Sequence, residues 1–292
     1  MRPPRNAPPP VARRLRAAAP GRRTVHVVHP GALAPQVYEG LAEALPEGDG
    51  LTVLDLGAVP DYADAALTGG RAATTVQALA ERLLAAMTEV PGPHTLAGWS
   101  FGGVLALAMT HALPAGRRPD RVVLLDSIAP TDAYKQPDDT LEPALLLDWF
   151  TMYLGAKRDR PVPLAPGALD GRGVDDGLPV VLDAAVSAGT LLPGTPLPGL
   201  RKLYDTYVDG LLRNNRLVAP YRPVPAPLPL VLVKAERSLI PGDETLGWLP
   251  LAPHGLTVHL CPGDHYTMLG RPDSLGVLAR LLYPSEPFTP SA

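Results

Sequence analysis

The sequence predicts an α/β fold, with a mostly parallel sheet and helices on both faces. Three observations carry this. Short runs rich in Val and Leu recur along the chain. Stretches with helical spacing alternate with them. The rhythm breaks once, over about a hundred residues between Asp126 and residue 228, and that gap has helical patterning of its own. The chain has 292 residues and is 46% hydrophobic, enough for one large core.

The elements follow in order. "TVHVVH" (24–29) reads as a buried strand, followed by the turn-forming "PGALAP" and helical spacing over 36–45. "LTVLDL" (51–56) is a second strand and "TTVQALAERLLAAM" (74–87) an amphipathic helix. "HTLAG" (94–98) is a strand, "FGGVLALAMTHAL" (101–113) a helix and "RVVLLD" (121–126) a further strand. A structureless loop as long as the gap is improbable in a compact domain. "PALLLDWFTMYLG" (143–155), "LPVVLDAAVSAG" (178–189) and "LRKLYDTYVDGLL" (200–212) instead predict an inserted helical lid over about 138–222. "LPLVLVKA" (228–235) and "LTVHLC" (256–261) resume the strands, and "SLGVLARLLY" (274–283) closes as a helix.

The expected organisation is a domain over 24–283 flanked by two tails. Residues 1–23 hold seven arginines, many prolines and no acid, and read as a flexible tail or linker. Its arginines are either solvated or dock an acidic partner. Residues 284–292 read as a C-terminal tail. A net charge of −3 gives no reason to expect nucleic acid. One cysteine, Cys261, excludes an internal disulfide framework and fits a reducing, cytoplasmic setting. No apolar run reaches about 18 residues, so no membrane span is expected.

The chemistry centres on Gly98–Trp99–Ser100–Phe101–Gly102, a G-x-S-x-G placed between a predicted strand and helix. Alone the pattern is weak. In that context it predicts a nucleophile elbow, a sharp turn that lifts the serine oxygen into a pocket. Glycines on either side remove side chains that would collide across the turn. The Phe101 N–H, at the helix N-terminus, can stabilise an oxyanion. A second donor is expected after the first strand, from Gly31 or Ala32; an ordinary Pro–Gly turn would look the same.

A serine hydroxyl needs a base. In α/β-hydrolases the order is Ser, acid, His. His265, in the loop before the last helix, is best placed. His254 is a weaker rival. His259 and His26 lie within strands, His29 ends one, and His94 and His111 flank the elbow's strand and helix. None shows metal-ligand spacing, so no metal is expected. For the acid, Asp126 competes with Glu236 and Asp243, which follow the later strand. Asp126 could also be a strand-end residue capping a turn. Asp264 adjoins His265 and is expected to point elsewhere.

The segments "VHVVHPGALAPQVYEGLAEAL", "LAGWSFGGVLALAMTHAL", "RVVLLDSIAP", "PLVLVKAE" and "PGDHYTML" together resemble the thioesterase domains of nonribosomal peptide and polyketide synthases. The likeness runs from 24 to about 283. It implies Ser100 as acyl-accepting nucleophile, Asp126 as acid and His265 as base. It also implies a lid over an acyl channel, no bound cofactor, and a substrate carried on the phosphopantetheine arm of an acyl or peptidyl carrier protein. Trp99 and Asp126 resemble the product-releasing branch more than stand-alone editing (type II) thioesterases. Trp99, Trp149, Phe150 and Tyr153 are the expected substrate contacts; for the lid aromatics, plain packing is the alternative. The sequence shows no carrier segment, so either an excised domain or an enzyme acting in trans is expected. A small-molecule esterase or acyltransferase, or a non-catalytic synthase-docking module, are the competing functions.

Overall fold

The computed structural model describes residues 10–68, 74–87 and 93–283. Residues 1–9 of the expected N-terminal tail, and the whole expected C-terminal tail, lie outside them. Seven strands form one sheet: β1 (Ala12–Arg16), β2 (Thr24–His29), β3 (Gly50–Asp55), β4 (His94–Trp99), β5 (Val122–Leu125), β6 (Leu230–Arg237) and β7 (Leu256–Asp264). Their spatial order is β1-β3-β2-β4-β5-β6-β7. Strand β1 runs antiparallel to β3, and every other pair is parallel.

The apolar strands read as nearly unbroken hydrophobic runs because both faces are covered. Along β2, Val25 and Val27 enter one core and Val28 the other. Along β4, Ala97 and Trp99 oppose Leu96 in the same way. A solvated face would have demanded polar alternation. One core contains α1 (Glu39–Ala44), α8 (Pro272–Leu282) and an insertion of three helices, α5 (Pro143–Arg158), α6 (Val174–Ser187) and α7 (Leu197–Val218). The other contains α2 (Pro60–Leu67), α3 (Val76–Ala86) and α4 (Phe101–Ala112). The insertion joins β5 to β6.

One expectation is corrected. Residues 12–16 belong to the sheet and not to a flexible tail: Ala12 pairs with Leu54 and Arg14 with Thr52. Four arginines of the expected tail have structural partners. Arg13 pairs with Asp55, Arg22 with Asp49 and Arg23 with Asp120. Arg16 donates to the Ala42 and Leu45 carbonyls at 3.0 Å. Long aliphatic stems let arginines cover an edge strand while their heads find acceptors. Four of the seven arginines therefore fasten the chain to its own domain.

Candidate active site

Ser100, Asp126 and His265 each occupy the first position beyond a strand, after β4, β5 and β7. This is the carboxyl edge of a parallel sheet, where α/β folds place their ligands. Each is also tied to a neighbouring strand by its backbone. Ser100 N–H donates to the Leu125 carbonyl at 3.0 Å, Asp126 N–H to Val233 at 2.8 Å, and His265 N–H to Arg237 at 3.1 Å.

Ser100 stands at φ 53°, ψ −126°, a conformation L-residues rarely adopt. Such strain costs on the order of 1–3 kcal/mol and is held by what surrounds it. The glycines show how. A Cβ on Gly98 would overlap the Gly102 backbone, and one on Gly102 would overlap the Val28 carbonyl. A Cβ on Gly103 would overlap the Ser127 side chain. The elbow is thus wedged between β2, β4 and the residue after Asp126.

Asp126, at φ 42°, is buried. Aspartate tolerates this region better than most residues. Its Oδ1 accepts the Ala235 N–H at 3.0 Å and its Oδ2 lies 2.7 Å from His265 Nδ1. The rival acids are placed otherwise. Asp243 accepts from the Tyr134 hydroxyl at 2.5 Å and from the backbone of Thr245 and Gly247, and these bonds hold its carboxyl below the usual carboxylate range. Glu236 is exposed near the end of β6. Asp264 turns into its own loop, accepting the Tyr266 and Thr267 N–H groups at 2.9 Å.

Ser100 and His265 line one pocket of about 210 Å³. Its sheet side includes Pro30, Gly31 and Ala32 from the loop after β2. Gly31 has φ 93°, which favours glycine there. His29 braces this loop. Its Nε2 donates to the Leu33 carbonyl at 2.7 Å, and burial lowers its pKa, which favours the neutral ring. The opposite wall comes from the insertion: Tyr153 of α5, and Tyr207, Gly210, Leu211, Arg213 and Asn214 of α7.

Residues 23–282 match the family of thioesterase domains. The chain belongs to that family. No curated protein matches it. Among solved structures, the four-domain nonribosomal peptide synthetase AB3403 is 25% identical with a TM-score of 0.64; the match covers 97% of this chain and 21% of that one. The chain therefore spans about a fifth of that protein's length. The Vlm2 thioesterase domain is 21% identical (TM-score 0.55), covering 96% of this chain and all of that one. The RedJ thioesterase of the prodiginine pathway in Streptomyces coelicolor is 18% identical (TM-score 0.54), covering 90% and 89%. These last two likenesses establish the α/β-hydrolase fold.

In this thioesterase domain two expected substrate contacts lie elsewhere. Trp149 is buried and donates its indole N–H to the Leu239 carbonyl at 3.1 Å. Phe150 is fully enclosed, edge-on to Tyr204 at 5.3 Å. Neither lines the pocket, because α5 packs most of its circumference. Trp99 does line it, but its N–H donates to the His265 carbonyl at 2.9 Å and its ring stacks on His29 at 5.6 Å. Its contacts make it a support for the histidine. Tyr153 reaches the pocket, stacked on Tyr207 at 4.7 Å.

Sequence reasoning missed Tyr62, Arg213, Asn214 and Tyr266 as pocket residues. The signal for α7 was available: 206/207, 210/211 and 213/214 recur at helical spacing and share one face. Among the described residues no cluster of three His, Cys, Asp or Glu could hold a metal ion. No described helix is long and apolar enough to cross a membrane.

Proposed function

We propose that this thioesterase domain is a serine enzyme that releases an acyl or peptidyl chain from the phosphopantetheine arm of a carrier protein. The observation that carries this reading is the conjunction at one pocket. Ser100 sits on a strained elbow, His265 lines the same cavity, and Asp126 holds the histidine's far nitrogen at 2.7 Å.

In the proposed cycle His265 Nε2 takes the Ser100 proton as Oγ attacks the thioester carbonyl. The Phe101 N–H and an N–H from Gly31 or Ala32 stabilise the oxyanion. The C–S bond breaks, and the thiolate takes the proton from the imidazolium and leaves as a thiol. The ester on Ser100 is then attacked by water, giving an acid, or by a hydroxyl or amine of the chain itself, giving a ring. Either nucleophile passes its proton to His265, which returns it to Ser100. The likeness to a synthetase that contains a domain of this fold supports a carrier protein as the donor.

An editing role is the second reading, and the position of the acid bears on it. The editing branch resembles this chain less, because its acid more often follows the later strand, where Asp243 is occupied by its own loop. Intact-protein mass spectrometry with acyl-pantetheine thioesters tests the proposal. A mass increase equal to the acyl group is expected on the native protein and none on Ser100→Ala. Normal turnover by Ser100→Ala would remove the mechanism.

A further inference from the structure

Helix α7 carries three arginines, and they differ in what they pair with. Arg201 pairs with Asp175 and Arg216 with Asp138. Arg213 makes no ion pair among the described residues, and it is the one of the three that lines the Ser100 pocket. Its Nη2 donates to the Tyr62 hydroxyl at 2.9 Å, and its guanidinium carbon lies 4.3 Å from the centre of the Tyr62 ring. The Tyr62 proton goes on to the Asn214 side-chain oxygen at 2.7 Å. Arg213 Nε is buried with no hydrogen-bond partner. Arg213 is half-buried, and its unspent Nε–H carries the desolvation cost of a buried donor. An anion in the pocket would offset that cost.

The pocket is also asymmetric. Tyr153, Tyr207 and Tyr266 form an aromatic group beside His265, while Tyr62, Arg213 and Asn214 form a polar group on α2 and α7. A thioester at Ser100 would thus have an aromatic surface near one part of its ligand and a cation near another. We infer that Arg213 is a specificity-determining residue that binds an oxyanion of the bound thioester, remote from the reacting carbonyl. The inference rests on the proposed thioesterase reading for its substrate. Two sources can supply the oxyanion: a carboxylate on the acyl chain, or the phosphate of the pantetheine arm.

Three pantetheine thioesters separate them: one with a terminal carboxylate, its terminal carboxamide, and the carboxamide carried on phosphopantetheine. The native protein is expected to favour at least one charged substrate over the neutral one by about 10- to 100-fold in kcat/KM, the scale of a charge-assisted hydrogen bond. Arg213→Gln should bring that ratio close to one, and Arg213→Lys should keep part of it. A preference for the carboxylate thioester identifies the acyl chain; a preference for the phosphorylated arm identifies the carrier's group. No preference in the native protein, or a ratio unchanged in Arg213→Gln while all rates fall together, would overturn the inference and leave Arg213 as a brace for Tyr62. A second arm needs no chemistry: calorimetric binding of glutarate against glutaramate to the Ser100→Ala protein, with and without Arg213→Gln. Glutarate binding that depends on Arg213, with no acylation of the native protein, would sink the thioesterase reading and keep the anion site. Acylation without any oxyanion preference in either arm would do the reverse.

Discussion

His265 Nδ1 and Asp126 Oδ2 lie 2.7 Å apart although 139 residues separate them in the chain. Both side chains are almost wholly shielded from water, at 2% and 0% exposure. Strand β6 makes the meeting possible. It lies between β5 and β7 and supplies the Ala235 N–H that holds the other carboxylate oxygen. An aspartate fixed at both oxygens leaves the histidine one orientation.

Replacing Asp126 with Asn should lower turnover by about 10⁴-fold, as in the template triad, by favouring the wrong tautomer of His265. Asp243→Asn should instead loosen the loop that Tyr134, Thr245 and Gly247 hold, lowering thermal stability while turnover changes little. Steady-state kinetics and melting curves on both variants check this. If Asp243→Asn is the crippling change, the acid lies after the later strand and the editing reading becomes the better one.

Trp99→Phe should act through the histidine and not through substrate affinity. It removes the N–H that the His265 carbonyl accepts at 2.9 Å and leaves a buried acceptor unpaired, costing about 1–3 kcal/mol of stability. The expected kinetic signature is a reduced kcat with little change in KM. A large rise in KM at constant kcat would make Trp99 a substrate contact after all.

How legible these features were depended on what each residue type discloses. The buried strands were readable because two covered faces leave unbroken apolar runs, as in "TVHVVH". The elbow was readable because its glycines answer local collisions, and His265 because it follows the last strand. Strand β1, "ARRLR", was not, since arginine stems can line a sheet edge as well as swell a tail. Helix α2 is eight residues long and buries only Tyr62 and Ala65, too few for a periodic signal. In α5 the residues Trp149, Phe150 and Tyr153 are alike in type, and only the packing against Tyr204 and Leu239 decides which one reaches the pocket.

Gly103→Ala should destabilise the protein by about 1–3 kcal/mol, because the new methyl meets the buried Ser127 side chain. Pairing it with Ser127→Gly should recover much of the loss, a coupling that chemical denaturation of both single variants and the double variant measures. Gly98→Ala and Gly102→Ala have no such rescue, since the obstructing atoms are backbone. Independent, additive effects of Gly103→Ala and Ser127→Gly would show that the contact does not constrain the elbow.

Acid should weaken the fold through His26. This residue is buried in β2, its ring lies edge-on to His94 at 6.2 Å, and its Nδ1 has no hydrogen-bond partner among the described residues. Burial, with the nearby His94 as the lesser cause, lowers its pKa from 6.5 to about 4. The sign follows from proton counting. Between those values the unfolded chain binds a proton at this position that the folded protein refuses, so stability falls as pH drops from about 6.5 to about 4. Above that window both states are neutral and the histidine contributes no slope. Each pKa unit is about 1.4 kcal/mol, so the full effect is on the order of 3 kcal/mol. Urea unfolding at pH 7.5, 6 and 4.5 reads it. His26→Gln should flatten the decline relative to the native protein, leaving the part due to His29 and His259, whose pKa values burial also lowers. Parallel declines in the two proteins would mean that His26 takes up its proton equally well in the folded and unfolded states.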